Sequence, residues 1–151
     1  QPWLRTAAAS TGVDMELLKA VIAVESGYRT DLVSPRGAIG LMQITPETGE
    51  RYATLGEAAA RPVEDRLRDP AHNVLAGARM LADLTRRWGR IDVALAAWNA
   101  GEGSVRRAGG KVPDIAETQA HVHLVLELYW ALLQQRQQRG AQSLQLAPTA
   151  P

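Results

Sequence analysis

The helical segment that ends near residue 26 carries a glutamate on its apolar face. Leu18, Ile22 and Glu25 stand at positions i, i+4 and i+7, a spacing that places them on one side of an α-helix. An ionised carboxylate is costly on the buried side of a helix, and the negative end of the helix dipole disfavours it as well. Both effects favour the neutral, protonated carboxyl. Because that form can donate a proton, the pattern makes Glu25 a candidate general acid.

A purely structural interpretation of Glu25 competes with the catalytic one. A glutamate at a helix end can turn outward into solvent, or form an ion pair with a nearby arginine such as Arg29 or Arg36. Periodicity alone favours this structural interpretation, since structural ion pairs are commoner than catalytic carboxyls. Two other acidic residues, Asp14 and Asp69, are explained separately as N-caps of helices.

The chain is predicted to fold as an all-α, mainly helical domain with one long structured loop. Capping residues, glycines and apolar periodicity predict helices over residues 2–10, 14–26, 69–88 and 92–99. They also predict a helix that begins at residue 45 and a helical turn or two within residues 103–108. A last long helix is predicted to begin at residue 114, and its pattern fades after residue 133. Between Gly27 and Ile44 the helical period fails, and serine, proline and glycine indicate an ordered loop with at most a minimal β element. Residues 1–139 form the predicted domain, and the low-complexity residues 140–151 are predicted to be a disordered tail.

The composition excludes several classes of partner and site. The 151 residues suit a single domain, and 17 basic against 16 acidic residues leave no electrostatic case for nucleic acid. Cysteine is absent, which excludes disulfides and thiolate metal sites. His121 and His123 are two apart on a helix and point to different faces, so we expect no metal site there. Nothing in the sequence indicates an organic cofactor either. No apolar run reaches the roughly 18–20 residues of a membrane span.

Several motifs with fixed spacing extend from Glu25. Glu25-Ser26-Gly27-Tyr28 is followed by a second run, Ser34-Pro35-Arg36-Gly37-Ala38-Ile39-Gly40-Leu41-Met42-Gln43. Together they resemble the family 1 lytic transglycosylases, the SLT domain of the lysozyme-like superfamily, which is similar to goose-type lysozyme. The family's further motifs resemble residues 69–81, 96–103 and 113–122 of this chain, in the same order. The resemblance covers residues 12–129, and it implies a lysozyme-like helical fold.

The resemblance implies roles for residues on both sides of the glutamate. Glu25 would be the catalytic acid/base. Ser34 and Gln43 match positions that line the sugar site and offer hydrogen bonds, and Met42 matches a residue that packs against the bound sugar.

Trp98, Asn99 and His121 belong to the opposite wall of the implied site. Trp98 and Asn99 match the segment that closes the groove. The family commonly has tyrosine at the positions of Trp98 and His121, and a tyrosine hydroxyl near the carboxyl can hydrogen-bond to it. Trp98 suits stacking on a sugar face but also suits a core position. His121 either replaces the hydroxyl's hydrogen bond or is a helix surface residue, and both interpretations stay open at the level of sequence.

The implied reaction needs a single carboxyl, whereas most glycosidases use two. Glu25 would protonate the β-1,4 glycosidic oxygen between N-acetylmuramic acid and N-acetylglucosamine in peptidoglycan, while the 2-acetamido carbonyl stabilises the cationic centre. The ionised Glu25 would then take the proton of the C6 hydroxyl, which closes a 1,6-anhydromuramic ring without water. One alternative is a hydrolytic muramidase with Asp31 or Asp69 as the second carboxylate. The other is a non-catalytic peptidoglycan-binding domain.

The implied partner is the peptidoglycan glycan strand. Peptidoglycan lies outside the inner membrane, so the function implies a location in the periplasm or cell envelope. Small enzymes of this kind often open the wall locally for envelope-spanning secretion, conjugation or pilus machinery, and the resemblance allows such a partner. We expect a monomer, with no nucleic-acid partner.

Overall fold

The computed structural model describes residues 1–54, 56–57 and 61–146. Within these residues the chain is helical and forms no extended strand, which confirms the all-α prediction. The helices are α1 (Pro2–Thr11), α2 (Met15–Ser26), α3 (Pro46–Arg51), α4 (Val63–Arg68), α5 (Pro70–Trp88), α6 (Ile91–Ala100), α7 (Glu102–Arg107) and α8 (Ala116–Leu146). In the described part of the chain, no helix has both the length and the apolar composition needed to cross a membrane.

Three predicted helix starts are confirmed by their capping bonds. The side chains of Asp14, Thr45 and Asp69 each accept a hydrogen bond from a backbone N–H in the first turn that follows, at 3.0, 3.4 and 3.1 Å. These bonds satisfy donors that the first turn of a helix leaves without a backbone partner. The local capping pattern therefore determines where α2, α3 and α5 begin.

Two features of the helical structure differ from the sequence prediction. Helix α4 was not predicted, because its six residues are too few to show a period. Helix α8 runs to Leu146 instead of fading after Leu133, so the prediction of a disordered tail is wrong for residues 140–146. Glutamine, arginine, alanine and leucine are good helix formers, and their low complexity does not oppose a helix. Residues 147–151 lie outside the described residues, and the domain boundary at 139 stays a prediction.

The core lies between α2 and the helices that surround it. Helix α2 packs against α1 and α8, and α6 packs against α5, α7 and α8. Leu18, Val21 and Ile22 of α2 are completely buried. Three alanines lie among the buried residues of α6, beside Val93 and Leu95, and small side chains let neighbouring helices approach closely. This packing brings the end of α2 against the first turns of α8.

The loop between α2 and α3 is held by a buried asparagine of α5. The Asn73 Oδ1 accepts a hydrogen bond from the Met42 backbone N–H at 2.9 Å, and its Nδ2 donates to the Ile39 carbonyl oxygen at 2.7 Å. Gly40 lies directly over this amide with φ of 72°, and a Cβ there would stand 2.6 Å from the Asn73 Nδ2. Ile39 also forms isolated antiparallel bridges to Val33 and to Ile44. The β element of the loop is therefore limited to single bridges.

Candidate active site

An open groove of about 530 Å³ passes the C-terminal end of α2. One wall is the loop between α2 and α3, and the other is formed by the end of α6 and the start of α8. The lining residues are Glu25, Ser34, Pro35, Arg36, Ala38, Gln43, Thr45, Trp98, Asn99 and Glu117. The fold therefore gathers five of the predicted site residues, which lie between positions 25 and 99 of the sequence, around one cavity.

Glu25 lies at the groove and is bonded to a histidine from the far end of the domain. The His121 Nε2 is 2.7 Å from the Glu25 Oε1, and the two residues are 96 positions apart in sequence. Their side chains are 11% and 18% exposed, respectively. The competing structural interpretation, an ion pair of Glu25 with Arg29 or Arg36, is not found among the described residues. Arg29 instead donates from Nε to the Ser26 carbonyl oxygen. The geometry therefore supports the interpretation that His121 replaces the hydrogen bond of a tyrosine hydroxyl to the carboxyl, and not the interpretation that it is a helix surface residue.

Met42 does not reach the groove surface. Its side chain has no exposed area, and it packs so closely against Gly77 of α5 that a Cβ at Gly77 would collide with the thioether. The expectation that Met42 packs against a bound sugar is therefore wrong for this structure. Met42 is a core residue, and its backbone N–H anchors the loop to Asn73.

Gln43 lines the groove but uses its amide donors within the loop. Its Nε2 donates to the Leu32 and Gly40 carbonyl oxygens at 3.1 and 3.0 Å. A primary amide has two N–H groups, so the Oε1 is the part of the side chain left to accept a bond from a ligand. The backbone of Gln43 has a positive φ of 52°, which is rare outside glycine and which these two bonds help to hold.

The Ser34 hydroxyl is oriented by a turn at the loop tip. Its Oγ accepts a bond from the Ala38 N–H at 3.0 Å, while the two backbones pair through the Ser34 N–H and the Ala38 carbonyl oxygen at 2.9 Å. A hydroxyl that accepts one bond still has its own proton to donate. Ser34 can therefore offer a donor to a ligand in the groove.

The opposite wall is fixed by a contact between α6 and α8. The Thr118 Oγ1 donates to the Asn99 Oδ1 at 2.8 Å, and Thr118 is buried. The Asn99 amide nitrogen remains for a ligand. Trp98 is half-buried, and it both packs against the core and lines the groove. Part of its side chain therefore occupies a core position, and another part is available to a ligand in the groove.

Glu117 is a second acid in the groove that was not among the predicted site residues. It is exposed and lies one helical turn before His121, so the two share a face of α8. The i, i+4 spacing between Glu117 and His121 was the signal in the sequence that could have identified Glu117 as a site residue. Asp31 and Asp69 do not line the groove, and Asp69 is occupied as the cap of α5 and by a 3.0 Å contact with the His72 Nδ1. Within the described residues, no group of three or more metal-ligating side chains comes together.

A helical domain with one carboxyl at the end of a central helix, beside a groove walled by an ordered loop, belongs to the lysozyme-like class. The transglycosylase SLT domain family matches residues 3–120. The chain belongs to this family, which confirms the family resemblance in the sequence.

Curated relatives carry the same kind of domain within longer chains. The endo-type membrane-bound lytic murein transglycosylase A of Klebsiella pneumoniae is 40% identical over 85 residues, which are 55% of this chain and 41% of the relative. The membrane-bound lytic murein transglycosylase C of Photorhabdus laumondii is 31% identical over 115 residues, which are 70% of this chain and 32% of the relative. The chain thus spans less than half the length of these relatives.

Solved structures confirm the fold. The 70-kDa soluble lytic transglycosylase of Escherichia coli superposes with a TM-score of 0.75 and 26% identity, over 85% of this chain and 23% of that one. An inactive glutamate-to-glutamine mutant of the lytic transglycosylase Slt from Pseudomonas aeruginosa gives a TM-score of 0.71 and 27% identity, over 83% of this chain and 22% of that one.

Proposed function

We propose that this domain is a peptidoglycan lytic transglycosylase that cleaves the β-1,4 bond between N-acetylmuramic acid and N-acetylglucosamine, with Glu25 as its acid/base. One observation carries the proposal. In a member of the transglycosylase SLT domain family, Glu25 reaches the groove from the end of a buried helix and keeps 18% of its side chain exposed. A carboxyl held in this way is sheltered enough to be positioned and open enough to meet a sugar chain.

The proposed reaction moves one proton in each of two steps. In the first, protonated Glu25 donates to the glycosidic oxygen, the C1–O bond breaks, and N-acetylglucosamine leaves with a free 4-hydroxyl. The 2-acetamido carbonyl of the muramic acid stabilises the positive charge at C1. In the second, ionised Glu25 takes the proton of the C6 hydroxyl and O6 bonds to C1. The carboxyl is protonated again, the product ends in a 1,6-anhydro ring, and no water is consumed.

The groove walls supply groups that suit an N-acetylated sugar. Ser34 has a hydroxyl proton to donate, Gln43 has a carbonyl oxygen to accept, and Asn99 has amide hydrogens to donate. Trp98 presents an apolar ring surface on the opposite wall, and sugar faces commonly stack on such rings. Binding to both walls would hold the scissile bond beside Glu25, which is where most of the rate gain from positioning arises.

A hydrolytic muramidase is the second candidate, and Glu117 is the observation that favours it. A hydrolase needs a second carboxylate to activate water, and Glu117 lies in the same groove as Glu25. The two candidates differ in their products, because hydrolysis leaves a reducing end that is one water heavier than the anhydro end.

Product analysis of digested sacculi tests both candidates. We would treat purified sacculi with wild type, Glu25→Gln, Glu117→Gln and the control Glu64→Gln, which changes an exposed glutamate of α4 outside the groove. Anhydro-ended muropeptides from wild type, Glu117→Gln and Glu64→Gln, but not from Glu25→Gln, support the transglycosylase. Reducing ends that disappear in Glu117→Gln would establish the hydrolase. Sacculus binding without products from wild type would mean a non-catalytic binding domain.

The proposed substrate also determines where the domain works. Murein lies in the bacterial envelope, and the relatives above are named as membrane-bound murein enzymes. We therefore propose that this domain works in the periplasm or cell envelope. We also propose that it acts as a monomer and opens the wall locally for a secretion, conjugation or pilus system. Fractionation of the source cell, with the domain recovered alongside such a machine, tests this placement.

A further inference from the structure

His121 has one nitrogen in contact with Glu25 and one nitrogen in the protein interior. The Nε2 is 2.7 Å from the Glu25 Oε1, whereas the Nδ1 is buried and has no hydrogen-bond partner among the described residues. The neighbouring His123 is different, since it is exposed and its Nε2 contacts Glu127 at 3.2 Å on the outer face of α8. His121 therefore interacts with the site through a single nitrogen.

The buried Nδ1 determines which form of the imidazole the site favours. A proton on Nδ1 would be a buried donor with no acceptor, and it would lose its hydration without compensation. The neutral imidazole with its proton on Nε2 has no buried donor at Nδ1 and leaves that nitrogen as an unpaired acceptor, while its proton lies in the short bond to Glu25.

We propose that His121 is a positioning residue that donates its Nε2–H to the Glu25 Oε1 throughout the reaction, so that Oε2 is the oxygen that carries the catalytic proton. The inference rests on the proposed function of Glu25. A fixed donor at Oε1 stabilises the carboxylate formed when Glu25 gives up its proton, and it orients the carboxyl for the second step. A tyrosine hydroxyl at this position could rotate and either donate or accept, whereas this imidazole can only donate.

The same arrangement makes the charged state of His121 unproductive. An imidazolium would keep Glu25 ionised as its partner, and no proton would then be present on Oε2. The other charged groups that line the groove are Arg36 from the loop and Glu117 from the same face of α8, while α6 contributes the uncharged Trp98 and Asn99. We therefore expect the reaction to use the neutral imidazole of His121.

Kinetics of matched variants test the role of the donor. His121→Ala removes the donor, His121→Gln keeps an N–H of similar reach that does not titrate, and His123→Ala is the control on the exposed face. We expect His121→Ala to lower kcat about 100-fold with little change in KM. We expect His121→Gln to recover most of the wild-type kcat. Equal rates for His121→Ala and His121→Gln, or a change confined to KM, would overturn the proposal.

A second measurement reads the imidazole without turnover. Long-range proton–nitrogen NMR spectra of the full chain, assigned by substituting each of its three histidines, report which ring nitrogen carries the proton. We expect a bare Nδ1 and a protonated Nε2 in wild type, and a mixture of tautomers in Glu25→Ala. A protonated Nδ1 at neutral pH would overturn the inference. An absence of products from wild type would overturn the proposed function instead, so the two failures are distinguishable.

Discussion

The Ser26 hydroxyl donates a hydrogen bond to the Leu41 carbonyl oxygen, 2.7 Å away and 15 residues further along the chain. Ser26 is the residue after Glu25 and is buried, and Leu41 lies in the part of the loop that Asn73 also holds. The end of α2 is thus joined to the groove wall through the residue next to the candidate acid. This bond links the position of Glu25 to that of the loop.

We therefore expect Ser26→Ala to reduce stability and activity together. The change leaves a buried carbonyl oxygen without its donor, which costs about 1–3 kcal/mol. Urea denaturation measures that loss, and the rate of anhydro-muropeptide release measures the effect on the site. The control is Ser10→Ala, because the Ser10 hydroxyl bonds to the Thr6 carbonyl oxygen at 2.8 Å on the exposed side of α1. Equal stability of the two variants would contradict the expectation.

Gly40→Ala should destabilise the domain more than Gly37→Ala. Both glycines have a positive φ, 72° and 82°, so both alanine variants carry backbone strain of about 1 kcal/mol or more. Only at Gly40 would the new methyl group also meet the Asn73 amide and the Leu67 carbonyl oxygen, at 2.6 and 2.9 Å. We expect Gly40→Ala to cost at least about 2 kcal/mol more, as measured by thermal unfolding. If the two glycine variants unfold at the same temperature, the contact with Asn73 does not constrain the loop.

Asp14 makes the stability of the domain depend on pH in the acid range. Burial is the largest single influence on Asp14 and raises its pKa, whereas the hydrogen bond from the backbone N–H of Glu16 lowers it. The side chains of Arg136 and Tyr129 lower the pKa further, and the net value is below the ordinary 3.8. Because the pKa is lowered in the folded state, the ionised carboxylate stabilises the fold at pH values above its ordinary pKa. This contribution is lost as the pH falls through the lower pKa of the folded state.

The comparison of wild type with Asp14→Asn isolates this effect, because asparagine keeps the cap of α2 and removes the charge. We expect wild type to be more stable at neutral pH, by no more than about 1 kcal/mol since the pair with Arg136 is partly exposed. The difference should vanish well below pH 3.8. Urea denaturation at both pH values measures it, and a constant difference would show that the charge of Asp14 is not responsible.

Thr118→Val should loosen the groove wall with little loss of stability. The substitution removes the donor that holds the Asn99 Oδ1, and Asn99 is exposed, so water can replace the lost bond. We expect an unfolding free energy within about 1 kcal/mol of wild type and a higher KM for glycan strands. Thr85→Val is the matched control, since the Thr85 hydroxyl bonds to the Leu81 carbonyl oxygen at 2.7 Å within α5, outside the groove. A similar KM for both variants would contradict a role for the contact between Thr118 and Asn99.

The amino-acid sequence by itself determined the features that depend on near neighbours in the chain. The caps at Asp14, Thr45 and Asp69 predicted where helices begin, because a cap bonds only to the turn that follows it. The spacing of the motif around Glu25 predicted the family and the lysozyme-like fold, and both are confirmed. The roles of Ser34, Gln43, Trp98 and Asn99 in binding sugar stay predictions.

Only the tertiary structure decided which distant side chains meet. It placed His121 against Glu25, brought Glu117 into the groove and turned Met42 inward against Gly77. Each of these outcomes depends on how one helix is rotated and shifted against another. That register is determined by the packing of the whole core, and a local pattern of residues does not contain it.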